Sequence, residues 1–251
     1  MKNLISQLKS LKEKYNIKGI KQSFEDEGAI LSDVILMRRI TELIDLKMSV
    51  KIGGCEAISD INNCVAMGVN GIVAPMVETK FALQKYIESV YKVKDIKFYI
   101  NIESKSAYEN LDSILNSPSS KLLSGIVVGR SDLTKSFGYG KDQVDSIFMQ
   151  GIVYDILTKC KEYNMTTLMG GNISPKSGPF VKKLFLQNML NYIETRNVII
   201  ELNKSNTQNL SSIIKHVLLF EAEWLKYKAS NYLQIGDEYI KRSKVIIDRI
   251  S

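Results

Sequence analysis

The feature that most constrains the fold is an alternation of short apolar runs with longer amphipathic segments. Seven segments read as β-strands, most of them short apolar runs, and segments with apolar residues at helical spacing lie between most of them. This alternation is typical of a parallel sheet with crossover helices, so we predict an α/β fold. The seven strand-like segments cover residues 19–29, 49–53, 71–77, 96–103, 125–132, 165–170 and 197–202.

The length of the chain favours closure of this sheet into a barrel. A chain of 251 residues with 45% hydrophobic content can bury one large core, and α/β barrels commonly have this size. We predict one domain with a TIM (β/α)8-type barrel over residues 19–202, an N-terminal helix over 1–16 and extra C-terminal helices over 203–251. A closed barrel needs eight strands, so either the eighth lies near the N-terminus or the barrel is irregular there.

Carboxylates end two consecutive strand-like runs in the segment IKFYINIESKSAYENLDSILNSPSSKLLSGIVVGRSDLTKSF. Glu103 ends the first run and Asp132 ends the second. The carboxyl ends of parallel strands form the active face of a barrel, so two such acids can point at one ion. Isolated acids at strand ends are also commonly helix caps or salt-bridge partners. The paired arrangement favours a divalent metal site.

Five segments follow one another within residues 19–202: FEDEGA, KIGGCEAISD, GVNGIVAPMVET, NIESKSAYENLDSIL and GIVVGRSDLTKSFG. In this order they resemble the HpcH/HpaI aldolase and citrate lyase beta-subunit family of pyruvate- and phosphoenolpyruvate-binding barrels. In that family a Glu from an I-E-[TS] strand end and an Asp from a G-x-x-D-L strand end hold Mg²⁺ or a similar ion. The resemblance places these ligands at Glu103 and Asp132.

The resemblance implies a carbon–carbon lyase of the aldolase type. Hard carboxylate oxygens without a nearby histidine suit Mg²⁺ or Mn²⁺. Two protein ligands leave coordination positions for a small anionic substrate, a 2-oxo acid or a related carboxylate. Such an ion stabilises the enolate that forms when the bond beside the carbonyl breaks or forms.

Two departures from the family pattern change the expected catalytic residues. The family's pyruvate aldolases place an Arg on the third strand, where VKIGG has Lys51, and a His after D-x-E-H, where FEDEGA has Gly28. Glu25 and Glu27 are two residues apart and share one side of an extended chain, so crowding favours general acid/base use of one of them. Helix capping is their alternative role.

Lys51 has three alternative roles. It can offer a point charge to a substrate carboxylate, or form a structural ion pair with Glu25 or Glu27. As a desolvated amine it can also form a Schiff base with a carbonyl substrate. A barrel that binds a small acid or a partner without catalysis is a further alternative, because the catalytic His is missing.

The loop after the fifth apolar run supplies the remaining substrate-binding candidates, Gly129, Arg130 and Ser131. Arg130 can bind an anionic group or form an outward salt bridge. Backbone N–H groups over 129–132 can bind a carboxylate whatever the side chains are. The sole histidine, His216, lies in the C-terminal helical region, and we expect it to be structural.

Composition and the terminal segments limit the partners. The 34 basic and 27 acidic residues give a net charge of +7, but the basic residues are spread out, which favours a solvated surface over nucleic-acid binding. Three cysteines without CxxC spacing fit a reducing compartment, and no apolar run has the length of a membrane span, so we expect a cytoplasmic protein without membrane contact. The apolar stripe Ile213, Val217, Phe220 and Trp224 predicts packing on another subunit or on the barrel's outer wall, and we expect a homo-oligomer.

Overall fold

The computed structural model describes residues 1–24 and 28–250. Its sheet is a closed barrel in which each of eight strands pairs with its neighbours in chain order. The predicted α/β barrel is therefore confirmed. The strands are β1 (Ile17–Ser23), β2 (Lys47–Lys51), β3 (Gly71–Ala74), β4 (Lys97–Ile102), β5 (Gly125–Gly129), β6 (Thr166–Gly170), β7 (Tyr192–Glu194) and β8 (Val198–Glu201).

The barrel is irregular where it closes. Strands β1 to β7 pair in parallel, whereas β8 runs antiparallel to both β7 and β1. Only Thr195 to Asn197 connect β7 to β8, in place of a crossover helix. The strand absent from the sequence prediction is β7, which lies near the C-terminal end of the barrel and not near the N-terminus. Its three residues are too few for a period-2 pattern to be recognised.

Helices surround the barrel and follow most of the strands. Ser104 illustrates how a helix begins, since its hydroxyl accepts from the Ala107 N–H as soon as β4 ends. The helices are α1 (Lys2–Tyr15), α2 (Leu31–Leu43), α3 (Ile58–Ala66), α4 (Lys80–Val90), α5 (Lys105–Glu109), α6 (Leu111–Leu115), α7 (Arg130–Ser136), α8 (Ile147–Glu162), α9 (Gly178–Leu186), α10 (Lys204–Gln208) and α11 (Leu210–Ile247), with 3-10 turns at Pro118–Leu122, Lys141–Asp145 and Pro175–Ser177.

Helix α11 has a buried first half and an exposed second half. The predicted stripe of Ile213, Val217, Phe220 and Trp224 is buried within the chain, where α11 packs against α1 and the turn Pro175–Ser177. Lys228 and Tyr232 both contact Asp33 of α2. Residues 233–250, which we call the arm, are almost entirely exposed. No helix in the described ranges is long and apolar enough to span a membrane.

The buried apolar side chains form two clusters, one outside the barrel and one inside it. The main core lies between the sheet and the helices and contains most of the buried apolar side chains. A small second cluster of Val73, Val127 and Leu168 fills the middle of the barrel. Polar side chains line the barrel above this cluster, at the carboxyl ends of the strands.

Candidate active site

A polar cavity of about 480 Å³ opens at the carboxyl ends of the barrel strands. Side chains from β1, β2, β4 and β7 line it together with the start of α7, and α11 contributes Glu221 and its neighbours to one wall. The described lining residues include four basic and four acidic side chains. They are Lys21, Lys51, Lys141 and Arg196, with Glu103, Asp132, Glu194 and Glu221.

Glu103 lies at the centre of a buried hydrogen-bond network. It follows β4 directly and shares its inward face with Asn101, two residues earlier. The Lys51 Nζ lies 3.2 Å from Glu103 Oε2, and the Asn101 Nδ2 donates to the same oxygen at 2.7 Å. The Met76 N–H donates to Oε1 at 3.1 Å. These contacts hold the carboxylate in one orientation, with about one of its four lone-pair sites left open.

Asp132 reaches the same cavity from the adjacent strand. β4 and β5 pair in parallel with Ile102 opposite Val128, so Gly129 lies beside Glu103. A Cβ at Gly129 would be 2.8 Å from Glu103 Oε2, so only glycine permits this approach. Asp132 is the third residue of α7 and is partly exposed. The structure thus brings Glu103 and Asp132 to neighbouring strand ends at one cavity.

The donor set fits a hard divalent cation. No group of three Cys, His, Asp or Glu side chains suited to a metal occurs among residues 1–24 and 28–250, so two carboxylates would be the acidic ligands. The Asn101 Oδ1 atom is buried and has no hydrogen-bond partner in the described structure, which leaves a further hard oxygen beside Glu103. The ammonium of Lys51 competes for the same carboxylate. A cation here would have to share Glu103 with it.

A second ion pair in the cavity was not anticipated from the sequence. The Lys21 Nζ of β1 lies 2.6 Å from Glu194 Oε1 at the end of β7, and both side chains are mostly buried. Lys21 points from β1 into the cavity, and the alternation of inward and outward side chains along a strand could have identified it. Glu194 was missed because the strand that carries it was missed. Asn101 could have been found as the inward neighbour of Glu103.

Glu221 joins α11 to the turn between β7 and β8. Its Oε1 accepts from Thr195 Oγ1 at 2.6 Å and from the Asn197 N–H at 2.5 Å. Burial raises the pKa of Glu221 above its ordinary value, and the hydrogen bonds from Thr195 and Asn197 oppose this shift. The carboxyl therefore ties the wall of the cavity to the irregular closure of the barrel.

Arg130 does not line the cavity, unlike its sequence neighbours Gly129 and Ser131. Its guanidinium is fully buried and pairs with Asp145 at 2.7 Å. It also donates to the backbone oxygens of Gly170 and Gly171. This geometry corrects the expected roles of substrate contact and outward salt bridge, because Arg130 holds the β6 end against the turn at Asp145.

The remaining predicted residues are Glu25, Glu27, Lys51 and His216. Glu25 and Glu27 lie outside the described residues. Lys51 lines the cavity and pairs with Glu103, whereas the sequence predicted Glu25 or Glu27 as its ion-pair partner. His216 lies on α11 away from the cavity, where its ring contacts Tyr15 and the Ser212 carbonyl oxygen.

A comparison with protein families matches the part of the chain that carries these residues. The model for HpcH/HpaI aldolase/citrate lyase matches residues 46–170, from just before β2 to the end of β6. The chain belongs to the HpcH/HpaI aldolase/citrate lyase family. Membership of this family points to aldolase- or citrate-lyase-type activity, and its members generally depend on a divalent metal. No significant match was found among curated proteins.

Solved structures, among them two HpcH/HpaI proteins, share this fold at low sequence identity. A family protein from Burkholderia cenocepacia is 13% identical with a TM-score of 0.62 and covers 87% of this chain and 90% of its own. An HpcH/HpaI aldolase from Desulfitobacterium hafniense is 10% identical with a TM-score of 0.55 and covers 82% and 93%. A variant of the citrate synthase SbnG is 16% identical with a TM-score of 0.61 and covers 90% of both chains.

Proposed function

We propose that this protein is a carbon–carbon lyase of the aldolase type that acts on a 2-oxo acid or a related carboxylate through an enolate. Glu103 and Asp132 would hold Mg²⁺ or Mn²⁺, and Asn101 Oδ1 would lie beside them. The observation that carries the proposal is that both carboxylates and Lys51 line one polar cavity at the carboxyl ends of the strands. A divalent cation held there would stabilise the negative charge of the enolate.

The chain's own residues would bind and orient the substrate. Lys51 has 7% of its surface exposed and points its charge into the cavity, where it can attract a substrate carboxylate. Lys21 offers a second positive charge across the cavity, held in place by Glu194. Gly129 and Ser131 line the cavity with backbone that a carboxylate can approach closely. We keep Glu25 and Glu27 as the proposed acid/base residues.

Exchange of the C3 protons of pyruvate with solvent tests the proposal without needing an aldehyde. The exchange should require added Mg²⁺ or Mn²⁺, and EDTA should stop it. Glu103→Gln and Asp132→Asn should each reduce the exchange rate by ~100-fold or more, because each removes a charged ligand. Mn²⁺ binding, followed by the electron paramagnetic resonance of the free ion, should weaken in both variants.

Asp112→Asn is the matched control for these variants. Asp112 is largely exposed and pairs with Lys159 on the outside of the barrel, so its loss should change neither exchange nor Mn²⁺ binding. Exchange that resists EDTA and both cavity variants would contradict the metal assignment. Binding of 2-oxo acids without exchange or cleavage would instead support a barrel without catalytic activity.

A Schiff-base aldolase is the second candidate, because Lys51 is a mostly buried amine in the cavity. Its nucleophile would be the neutral amine, which cannot form the ion pair observed with Glu103. Borohydride reduction in the presence of pyruvate separates the two mechanisms. A stable adduct on Lys51 found by mass spectrometry supports the Schiff base, and its absence in an active, EDTA-sensitive enzyme supports the metal.

A further inference from the structure

A second cavity, of about 180 Å³, opens at the opposite end of the barrel, where strands β1 to β7 begin. Among the described residues, only Glu194 lines both cavities. The proposed lyase chemistry uses none of the other residues of this lower cavity. The lower cavity can therefore hold a ligand different from the one in the upper cavity.

The inner wall of the lower cavity is apolar and cannot be filled by longer side chains from two of its strands. Val73 and Val127 belong to the cluster in the middle of the barrel. Gly71 and Gly125 precede them by two residues and so share their inward face. A Cβ at Gly71 would be 2.6 Å from Ser49 Oγ, and one at Gly125 would be 2.2 Å from the Thr166 carbonyl oxygen. Close packing of the strands thus keeps this space open.

The mouth of the lower cavity carries an excess of positive charge. Lys18, Lys47 and Lys97 line the cavity. Its lining carboxylates are the exposed Asp95 and the deeper Glu194, which pairs with Lys21. Lys18 pairs with Glu201 at 3.3 Å. Lys47 and Lys97 have no carboxylate within ion-pair distance among the described residues. Their field favours an anion at the mouth.

Tyr99 adds a hydrogen-bond donor between the apolar wall and the charged mouth. Tyr99 lines the cavity, and its hydroxyl has no hydrogen-bond partner within the described ranges, whereas the Tyr192 hydroxyl donates to Glu201 at 3.4 Å. Burial, followed by the neighbouring Tyr192, raises the pKa of Tyr99 to about 12. The phenol therefore keeps its proton near neutral pH and remains able to donate to an acceptor in the cavity.

We propose that the lower cavity binds a small amphiphilic carboxylate. Its apolar part, one aromatic ring or a short branched chain, would lie against Val73, Val127 and Leu168, and its carboxylate would accept from Tyr99 near Lys97 and Lys47. The volume suits this size, since a dry apolar cavity of ~150 Å³ accommodates benzene. The ligand class follows from an apolar wall, an unpaired hydroxyl and unpaired ammonium groups in one compartment.

Calorimetric titration with phenylacetate tests the proposal on the full chain. Phenylacetate should bind at least ~10-fold more tightly than benzyl alcohol, which lacks the charge, and than acetate, which lacks the ring. Tyr99→Phe removes only the hydroxyl and should weaken phenylacetate binding by ~10-fold. Lys97→Met should weaken it similarly, while Lys94→Met, in the exposed loop before β4, should leave it unchanged.

Two further variants distinguish the lower cavity from the upper one. Val127→Phe should fill the lower cavity and abolish binding, provided that circular dichroism and melting show a folded barrel. Lys51→Met, at the upper cavity, should leave phenylacetate binding unchanged. The proposal is overturned if Lys51→Met weakens binding as much as Lys97→Met does, if Tyr99→Phe has no effect, or if phenylacetate binds no better than acetate.

Discussion

At the scale of single residues, Lys51 and a divalent cation would compete for Glu103. The Lys51 ammonium lies 3.2 Å from Glu103 Oε2, so a cation bound by this carboxylate would lie close to a second positive charge and be repelled by it. Lys51→Met should therefore tighten Mn²⁺ binding by ~10-fold or more, as measured by titration calorimetry. Lys135→Met, on the exposed side of α7, is the control, and weaker Mn²⁺ binding in Lys51→Met would contradict this competition.

Glu221 should make stability depend on pH in an unusual direction. Burial raises its pKa in the folded state above the ordinary 4.5, so folding favours the protonated form. The stability contributed by that form is fully present below the unfolded pKa and is lost as pH rises through the folded pKa. Glu221→Gln keeps an acceptor oxygen but cannot ionise. Its free energy of unfolding, relative to wild type, should therefore increase with pH above 4.5.

Urea unfolding of both proteins at a series of pH values measures this difference. Glu223→Gln is the control, because Glu223 lies on the same helix in a surface ion pair with Lys226. Glu221→Ala should lose about 1–3 kcal/mol, since it leaves the Thr195 hydroxyl and Asn197 N–H without their acceptor. Parallel pH curves for Glu221→Gln and wild type would show that Glu221 does not titrate in this range.

The sequence predicted which side chains line the upper cavity in those cases where a local rule determines the direction of the side chain. Glu103 and Asp132 follow consecutive strands, and Lys51 ends β2, so strand-end geometry alone brings them to one cavity. Arg130 was misassigned because the residue after a strand can turn either into the barrel or beneath the next loop. Only the positions of Asp145 and Gly170 decide between these directions, and neither is encoded locally.

At the scale of elements, the stripe on α11 should stabilise the chain without controlling assembly. Trp224 is 1% exposed and packs against the rest of its own chain, so Trp224→Ala should lower the free energy of unfolding by about 3–5 kcal/mol. Leu219→Ala, on the exposed side of α11, should cost about 0.5 kcal/mol or less. A change of mass by light scattering in a folded Trp224→Ala protein would instead place the stripe between subunits.

Seven of the eight strands could be predicted because each coincides with a strand-like segment, most of which are apolar runs. β7 could not, because its three residues follow a helical pattern without an intervening apolar run. The direction of β8 could not be predicted from the sequence either, because the apolar pattern of NVIIEL fits a parallel and an antiparallel strand equally well. That direction is set by the short turn Thr195–Asn197 and by its contact with Glu221, which is distant in the sequence.

At the scale of the whole molecule, the arm is the surface on which we expect a second copy of the chain to dock. Leu233, Ile240 and Ile247 are exposed, recur at helical spacing and form one apolar stripe, and the exposed Tyr239 lies beside it. The helical part of the arm, residues 233–247, extends ~22 Å and buries little of this surface by itself. The homo-oligomer expected from the sequence would cover it.

Light scattering of a chain that ends at Tyr232 tests this expectation. The shortened protein should keep the Asp33 contacts and a folded barrel, but its mass should fall to that of one chain. Ile240→Glu should lower the mass of the full chain in the same way. Gln234→Glu adds the same charge on the polar face and should not. An unchanged mass in the shortened chain would show that the arm does not hold subunits together.

The closure of the barrel between its first and last strands also has a consequence for the newborn polypeptide on the ribosome. β1 pairs with β8 through Ile17 and Ile20, opposite Ile200 and Val198, so one edge of β1 has no partner until about 180 further residues have been added. At typical synthesis rates this takes roughly 10 to 40 s, during which an open strand edge invites aggregation. Lys18 and Lys21 place two charges on that edge. Before they form ion pairs in the finished barrel, the charges of these lysines would disfavour pairing of the open β1 edge with strands of other chains.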